Sequence, residues 1–203
     1  MKKIIKLSVF VLTLLYVLNI NSQDENYKWQ FSFGSNAVDV QADSNTSFTE
    51  FFDVKQNWNL SKSPVSMFMV SKYVGNNLSV GVSAAFNSIS NYASRHELQG
   101  VTNDYFSIDA MVKYNLSELI SLRLLDLDLH PFVGVGPGWT IFSEESYMTG
   151  NGSVGLDIWL NEAFGLTFMS EYKQNFSDSI LLDEGGTMRW SVMLTFKFDE
   201  DSE

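Results

Sequence analysis

Residues 187–198 read Thr187-Met188-Arg189-Trp190-Ser191-Val192-Met193-Leu194-Thr195-Phe196-Lys197-Phe198. Successive side chains on a strand point to opposite faces. Met188, Trp190, Val192, Leu194, Phe196 and Phe198 therefore share one side, and Arg189, Ser191, Met193, Thr195 and Lys197 share the other. The first side is apolar and the second largely polar. An apolar side about 11 residues long matches what a tilted strand needs to cross a bilayer. At the edge of a soluble sheet such a strand would recruit other chains. It needs protein core or lipid against it.

The other end of the chain reads differently. Lys2, Lys3 and Lys6 precede an apolar run over residues 7–18, and Ile20-Asn21-Ser22 closes on a small residue. This is the layout of a secretory signal peptide, with cleavage expected before Gln23. The competing reading is an N-terminal anchor, but a run of about 12 residues falls short of the roughly 20 that a spanning helix needs. With no cysteine in the sequence, a lipoprotein anchor is excluded, as are disulfides, thiolate chemistry and Cys-ligated metals. No other window reaches the length and apolarity of a spanning helix. A mature chain that enters a membrane must then do so as a closed barrel, because unpaired backbone groups are too costly in hydrocarbon.

The 203 residues suffice for one domain, and the division expected is a signal peptide over 1–22, a barrel over 23–198 and an acidic tail over 199–203. The formal charge is −11, from 13 basic and 24 acidic residues; without the three leader lysines, 10 basic residues face the same 24 acids. A chain so acidic repels nucleic acid. Aromatic residues make up 14% of the sequence, so the acids are expected on the loops of an ordered body rather than in a disordered chain.

Eight strand-like segments follow the leader, at residues 27–40, 65–74, 78–89, 105–115, 129–142, 150–160, 164–175 and 187–198. Most alternate cleanly. Tyr27, Trp29, Phe31 and Phe33 oppose Lys28, Gln30, Ser32 and Gly34; Phe106, Ile108, Ala110, Val112 and Tyr114 oppose Tyr105, Ser107, Asp109, Met111 and Lys113. The second segment has no clear parity, since Phe68 and Val70 lie opposite Met67 and Met69. Gly134, Gly136 and Gly138 share one side of the fifth, which implies a face that is closely approached, as inside a narrow barrel. Pro137 in the same segment removes a ladder donor and predicts a bulge.

Gly75-Asn76-Asn77 reads as a tight turn, because Gly and Asn accept positive φ. Residues 161–163 form a second short turn, and residues 116–128 an irregular connection. Residues 41–63, 90–104, 143–149 and 176–186 are the polar loops. Long links alternating with short ones are the rhythm of an outer-membrane barrel. Tyr27, Tyr73, Tyr114, Phe164 and Phe198 recur at strand ends, where an interfacial girdle would form.

Apolar-out and apolar-in barrels share this alternation, so the charged face decides between them. Asp109, Lys113, Asp157, Glu171, Lys173, Arg189 and Lys197 all lie on the side rich in small residues. An eight-stranded barrel is just wide enough for side chains to fill, and charges of both signs can pair there. The expected fold is therefore all-β: an eight-stranded antiparallel up-and-down transmembrane β-barrel with a polar, charge-plugged interior. A soluble, lipocalin-like barrel is the alternative.

The organisation resembles the small outer-membrane barrels of the OmpA/OmpX type, in the porin-like form common in Bacteroidota. The resemblance rests on residues 29–39, Lys72-Tyr73, Lys113-Tyr114, Tyr172-Lys173 and the closing Leu194-Thr195-Phe196-Lys197-Phe198. It implies that Phe198 carries the terminal aromatic signal read by the barrel-insertion machinery, although residues 199–203 follow it. Many relatives continue into a peptidoglycan-binding domain that this sequence does not show, so wall anchoring is not implied.

The function expected is that of a non-enzymatic outer-membrane barrel with a structural or partner-binding role, alone or as an accessory subunit of a larger outer-membrane complex. Its partners would be outer-membrane lipid, lipopolysaccharide and other outer-membrane proteins, not nucleic acid. One alternative is a small lipid-modifying enzyme. His96 lies near Ser94 and Glu97, a sketch of a hydrolytic set, but a solvated loop histidine is the favoured account of it. His130, next to Pro131, reads as structural. Another alternative is a narrow channel along the interior charges, against which stands a lumen too thin for water. Glu144-Glu145 and Asp183-Glu184 are loop acids that could bind divalent cations or bridge to lipopolysaccharide, though solvated loops are the favoured account. No catalytic, cofactor-binding or metal residue is assigned, and no cofactor is expected; no phosphate loop, zinc spacing or haem motif is present.

Overall fold

The structure, a computed structural model, describes residues 27–40, 58–91, 101–117, 122–124, 127–142, 145–176 and 186–198. The residues read as a signal peptide and as an acidic tail, the His96 set, Glu144 and Asp183-Glu184 lie outside them. Ten strands form: β1 (Trp29–Val40), β2 (Trp58–Leu60), β3 (Met67–Gly75), β4 (Leu78–Ile89), β5 (Asn103–Asn115), β6 (Leu122–Leu124), β7 (Leu127–Phe142), β8 (Glu145–Trp159), β9 (Phe164–Asn175) and β10 (Thr187–Phe198). Eight are long and make one antiparallel sheet in the order β10-β9-β8-β7-β5-β4-β3-β1. The sheet closes on itself because β1 pairs with β10 along both full lengths, from Trp29 opposite Phe198 to Val40 opposite Thr187. The result is an eight-stranded up-and-down barrel, with β2 and β6 as short additions beside β1 and β7.

The alternation predicted for the closing strand holds. Val192, Leu194, Phe196 and Phe198 are exposed on the outside, whereas Arg189, Ser191, Met193, Thr195 and Lys197 are buried in the lumen. The same parity runs round the wall. Val80, Val82, Ile108, Val112, Val133, Val135, Trp139, Val154 and Phe168 are exposed large apolar residues on its outer side. Inward positions include Asp109, Lys113, Asp157, Glu171 and Lys173, each no more than 2% exposed. In β3 the ambiguous parity resolves with Met67, Met69 and Ser71 inward and Phe68 outward.

The Gly75-Asn76-Asn77 turn is as expected, with φ of 102°, 52° and 61° in that order. At the same end, Phe196 stacks near Phe33 with ring centroids 6.0 Å apart and lies 5.1 Å from Phe164, an aromatic belt round the closing seam.

Three expectations are corrected. The loop placed at 143–149 is largely strand: β8 begins at Glu145 and pairs with Phe142 of β7, so only residues 143–144 separate them. Polar residues hid this extension, yet Tyr147 and Thr149 alternate inward and Met148 outward like any strand. The connection over 116–128 holds β6, which folds back on Leu127–Leu129 of β7. Pro137 produces no bulge. Ala110 and Met111 drop out of the ladder opposite Gly136 and Pro137, and pairing resumes from Val112 opposite Val135 in unchanged register. The missing donor interrupts one edge without inserting a residue, while the β8 edge stays paired throughout.

The wall is also interrupted between β2 and β3. Both lie on the same flank of β1, with residues 61–66 looping between them. Above Ser66 the β4 edge is tied to this flank by carboxamides. Asn59 donates to the carbonyls of Val38 and Asn91 and accepts from the amides of Ser90 and Asn91. Asn87 donates to the Asn59 carbonyl and to Asn36 Oδ1, while Asn36 donates to the carbonyls of Ser66 and Phe86. Because one side chain stands in for several ladder bonds, Asn59→Ala should speed amide exchange of Ser90 and Asn91 at least about tenfold, the factor that one net hydrogen bond of roughly 1.4 kcal/mol supplies. Exchange at mid-strand positions of β8 and β9 should not change, and uniform acceleration would show that the seam is not local.

Candidate functional site

The lumen is the candidate site, and it is built in layers. Near the end away from the Trp29–Phe198 pair, Val38, Val40, Ile89, Tyr105, Phe142 and Tyr147 form a buried apolar cluster. Below it lies a charge network centred on Arg189 of β10. Its Nη1 reaches Asp109 Oδ2 at 2.9 Å and donates to Ser107 Oγ at 2.7 Å, and its Nη2 reaches Glu171 Oε1 at 2.7 Å. Strands β10 and β5 stand on opposite sides of the barrel, so Arg189 spans the lumen. Lys173 pairs with Asp109 Oδ1 and lies 3.8 Å from Glu171. Asn151 donates to the same Asp109 oxygen at 2.9 Å and accepts from Thr149. Asp109 thus receives donors from β5, β8, β9 and β10.

The glycines of β7 make this arrangement possible. A Cβ on Gly138 would lie 2.2 Å from Asp109 Oδ1 and 2.5 Å from Asn151 Nδ2; one on Gly134 would lie 2.5 Å from Ser153 Oγ. The expectation of a closely approached face is met: the charge network approaches Gly138, Ser153 and Met111 approach Gly134, and the Ala110 carbonyl of β5 approaches Gly136.

The next layer is apolar. Met67, Met69, Ala85, Phe132, Met169 and Met193 form one buried cluster, with Met111 packed against it. On β5, Met111 lies between Asp109 and Lys113, and on β9, Met169 lies between Glu171 and Thr167, so the layer separates two polar levels. Unbranched thioethers fill irregular gaps well, and here they also accept hydroxyl donors: Ser191 on Met67 at 2.8 Å and Ser153 on Met111 at 3.2 Å.

The lower polar level runs from Lys113, 2.5 Å from Asp157, through Thr167 on the other Asp157 oxygen to Thr195 and Ser32. Lys113 also sits 4.4 Å over the Phe132 ring, and Lys197 sits 3.4 Å over Trp159. His130 is 7% exposed and meets Asn115, as a structural histidine would.

The sequence placed all seven charged residues inside but missed the apolar layers. The signal was present: five of the eight methionines fall on inward parity. The charge-plugged interior is present as expected, and apolar levels that the sequence reading did not foresee alternate with it. Chemically, the three carboxylates are met by Lys113, Lys173 and Arg189 across the barrel, while Lys197 lies over Trp159. They join opposite walls and fill the space between.

No family model matches the chain, and no curated protein matches it. Solved structures do. The outer membrane protein OprG of Pseudomonas aeruginosa is similar at a TM-score of 0.54 and 11% identity, over 89% of this chain and all of that one, 100%. The outer membrane protein AlkL in DMPC lipid bilayers is similar at 0.53 and 14%, over 92% of this chain and 99% of that one. Neisserial surface protein A is similar at 0.52 and 11%, over 85% and 97%. At such identities the likeness is one of fold, the eight-stranded up-and-down barrel.

Removing one partner of a buried ion pair typically costs about 3–5 kcal/mol. Asp109→Asn should therefore lower stability by about 3 kcal/mol or more, because Arg189 and Lys173 both lose their shared carboxylate. Adding Lys173→Met should recover part of that loss. Urea unfolding in detergent micelles measures both; an Asp109→Asn chain as stable as the parent would show that the network contributes nothing.

Proposed function

We propose that this protein is a non-enzymatic outer-membrane β-barrel of the OmpA/OmpX type, in the porin-like form common in Bacteroidota. In this reading residues 1–22 are the export signal, residues 23–198 the inserted barrel and residues 199–203 a short acidic tail. Its role is structural or partner-binding, carried out by its loops and outer wall, alone or as an accessory subunit of a larger outer-membrane assembly. Bilayer lipid, lipopolysaccharide and other outer-membrane proteins are the partners this surface suits.

The observation that carries the reading is the separation of the two faces. Charges of both signs are buried and paired inside, while Val82, Val135, Val154, Val192 and Phe196 are exposed outside. Soluble monomers rarely expose contiguous apolar area beyond a few hundred Å², and in hydrocarbon the same surface is favourable. Among the described residues the eight long strands close into a ring, as a lipid setting requires, and where β3 ends the β4 edge is met by the Asn59 and Asn87 carboxamides. Lys72, on the outward parity of β3, lies 4.8 Å over Trp29 at the strand end, where a long stem can carry its charge to water.

The layers argue against conduction. An ion crossing the lumen would have to part Arg189 from Asp109 and Glu171, then pass the methionine layer. The mature protein reconstituted in planar bilayers should show no discrete conductance steps. Reproducible unitary steps, abolished by boiling the sample, would replace this reading with that of a channel.

A further inference from the structure

Among the described residues the outer wall carries a recess that the barrel does not need. It opens across β8, β9 and β10, holds about 500 Å³ and is lined almost wholly by apolar atoms. That volume falls within the roughly 300–1,000 Å³ typical of ligand sites. Two hydrogen-bonded rows build it. In one, Val154, Ser170 and Trp190 lie side by side; in the next, Leu156, Phe168 and Val192 do. The outward run of β9 is Phe164, Leu166, Phe168, Ser170 and Tyr172, so Ser170 is the single small residue among bulky ones. It makes the notch, and its hydroxyl turns toward Met188 Sδ at 3.9 Å. Trp58, from β2, stacks on Trp190 with ring centroids 5.3 Å apart and closes one side of the recess.

We infer that this notch seats one acyl chain of an outer-leaflet lipopolysaccharide. The inference rests on the reading of the wall as lipid-facing and deepens it by naming a lipid contact. The recess is continuous with the exposed apolar belt, so lipid lies against it wherever the barrel is inserted. Hydrocarbon seated in the recess makes dispersion contacts with this apolar lining. Its lining offers no charged side chain, which excludes a headgroup or an ionic peptide and selects hydrocarbon. The level of the notch selects the leaflet. Trp190 lies toward the Thr187 end of β10, away from the end where Trp29 pairs with Phe198. In a barrel with long external loops that end faces outward, and stacked tryptophans favour the headgroup boundary.

The test uses the mature protein, Ser170→Phe and Trp58→Ala, each purified from outer membranes in a mild detergent and examined by native mass spectrometry. Ser170→Phe fills the notch; Trp58→Ala removes its side wall from a three-residue strand outside the barrel ladder and keeps the test valid if the first variant misfolds. The parent should retain one lipopolysaccharide per chain, and retention should fall about tenfold in each folded variant. Retention of phospholipid instead, a second copy of the chain on this face, or lipopolysaccharide unchanged in the variants would each overturn the assignment. Absence of the protein from outer membranes would instead overturn the reading on which it rests.

Discussion

Arg189 reaches across the barrel from β10 to two carboxylates, Asp109 on β5 and Glu171 on β9, and this one contact sets the terms for the rest. A guanidinium that is fully buried must have its charge met nearby, because desolvation otherwise costs several kcal/mol per ion. The planar fork suits the task, since it can address two carboxylates at once. Fixing Arg189 in the middle fixes the distance between opposite walls. Lys173, Asn151 and Ser107 then complete the coordination of Asp109, and Gly138 leaves the room for it.

From that constraint the layering follows. A lumen this narrow has to be filled at every level, and filling it only with charges would leave some of them without partners. Methionines between the two polar levels occupy the remaining volume at low polar cost. Their sulfurs meet the hydroxyls of Ser191 and Ser153, which border the charged levels. The wall answers to the same logic from outside. With these charges turned inward, the large residues along the outer wall are mostly Val, Leu, Ile, Phe and Trp. Backbone pairing from Trp29–Phe198 to Val40–Thr187 closes the ring at the β1–β10 seam.

Much of this could be read beforehand because a period of two is unambiguous when one face is charged. Arg189, Glu171 and Lys113 announced the inside of their strands, and Phe196 and Val192 the outside. Legibility failed where neither face carried charge or where polar residues mimicked a loop. Met67 and Met69 could not be told from Phe68 and Val70 by hydropathy alone; only the neighbours in β1 and β4 decide which pair packs inward. Ser146 and Thr149 looked like loop, yet strand pairing with β7 outweighed composition. The carboxamide seam at Asn36, Asn59 and Asn87 joins residues far apart in the chain, so local pattern carried no trace of it. The notch at Ser170 was visible only as one small residue in a bulky run, without sign of what flanked it on β8 and β10.

The account depends on which parity of β10 meets hydrocarbon. The chain has no cysteine, so single cysteines can be placed and spin-labelled without background. Nitroxides at Val192→Cys, Leu194→Cys and Phe196→Cys, in barrels inserted in bilayers, should be relaxed strongly by oxygen, which partitions into lipid. Labels at Ser191→Cys, Met193→Cys and Thr195→Cys should be shielded both from oxygen and from a water-soluble nickel chelate. The reverse alternation, or strong relaxation of the outer positions by the chelate, would contradict the account.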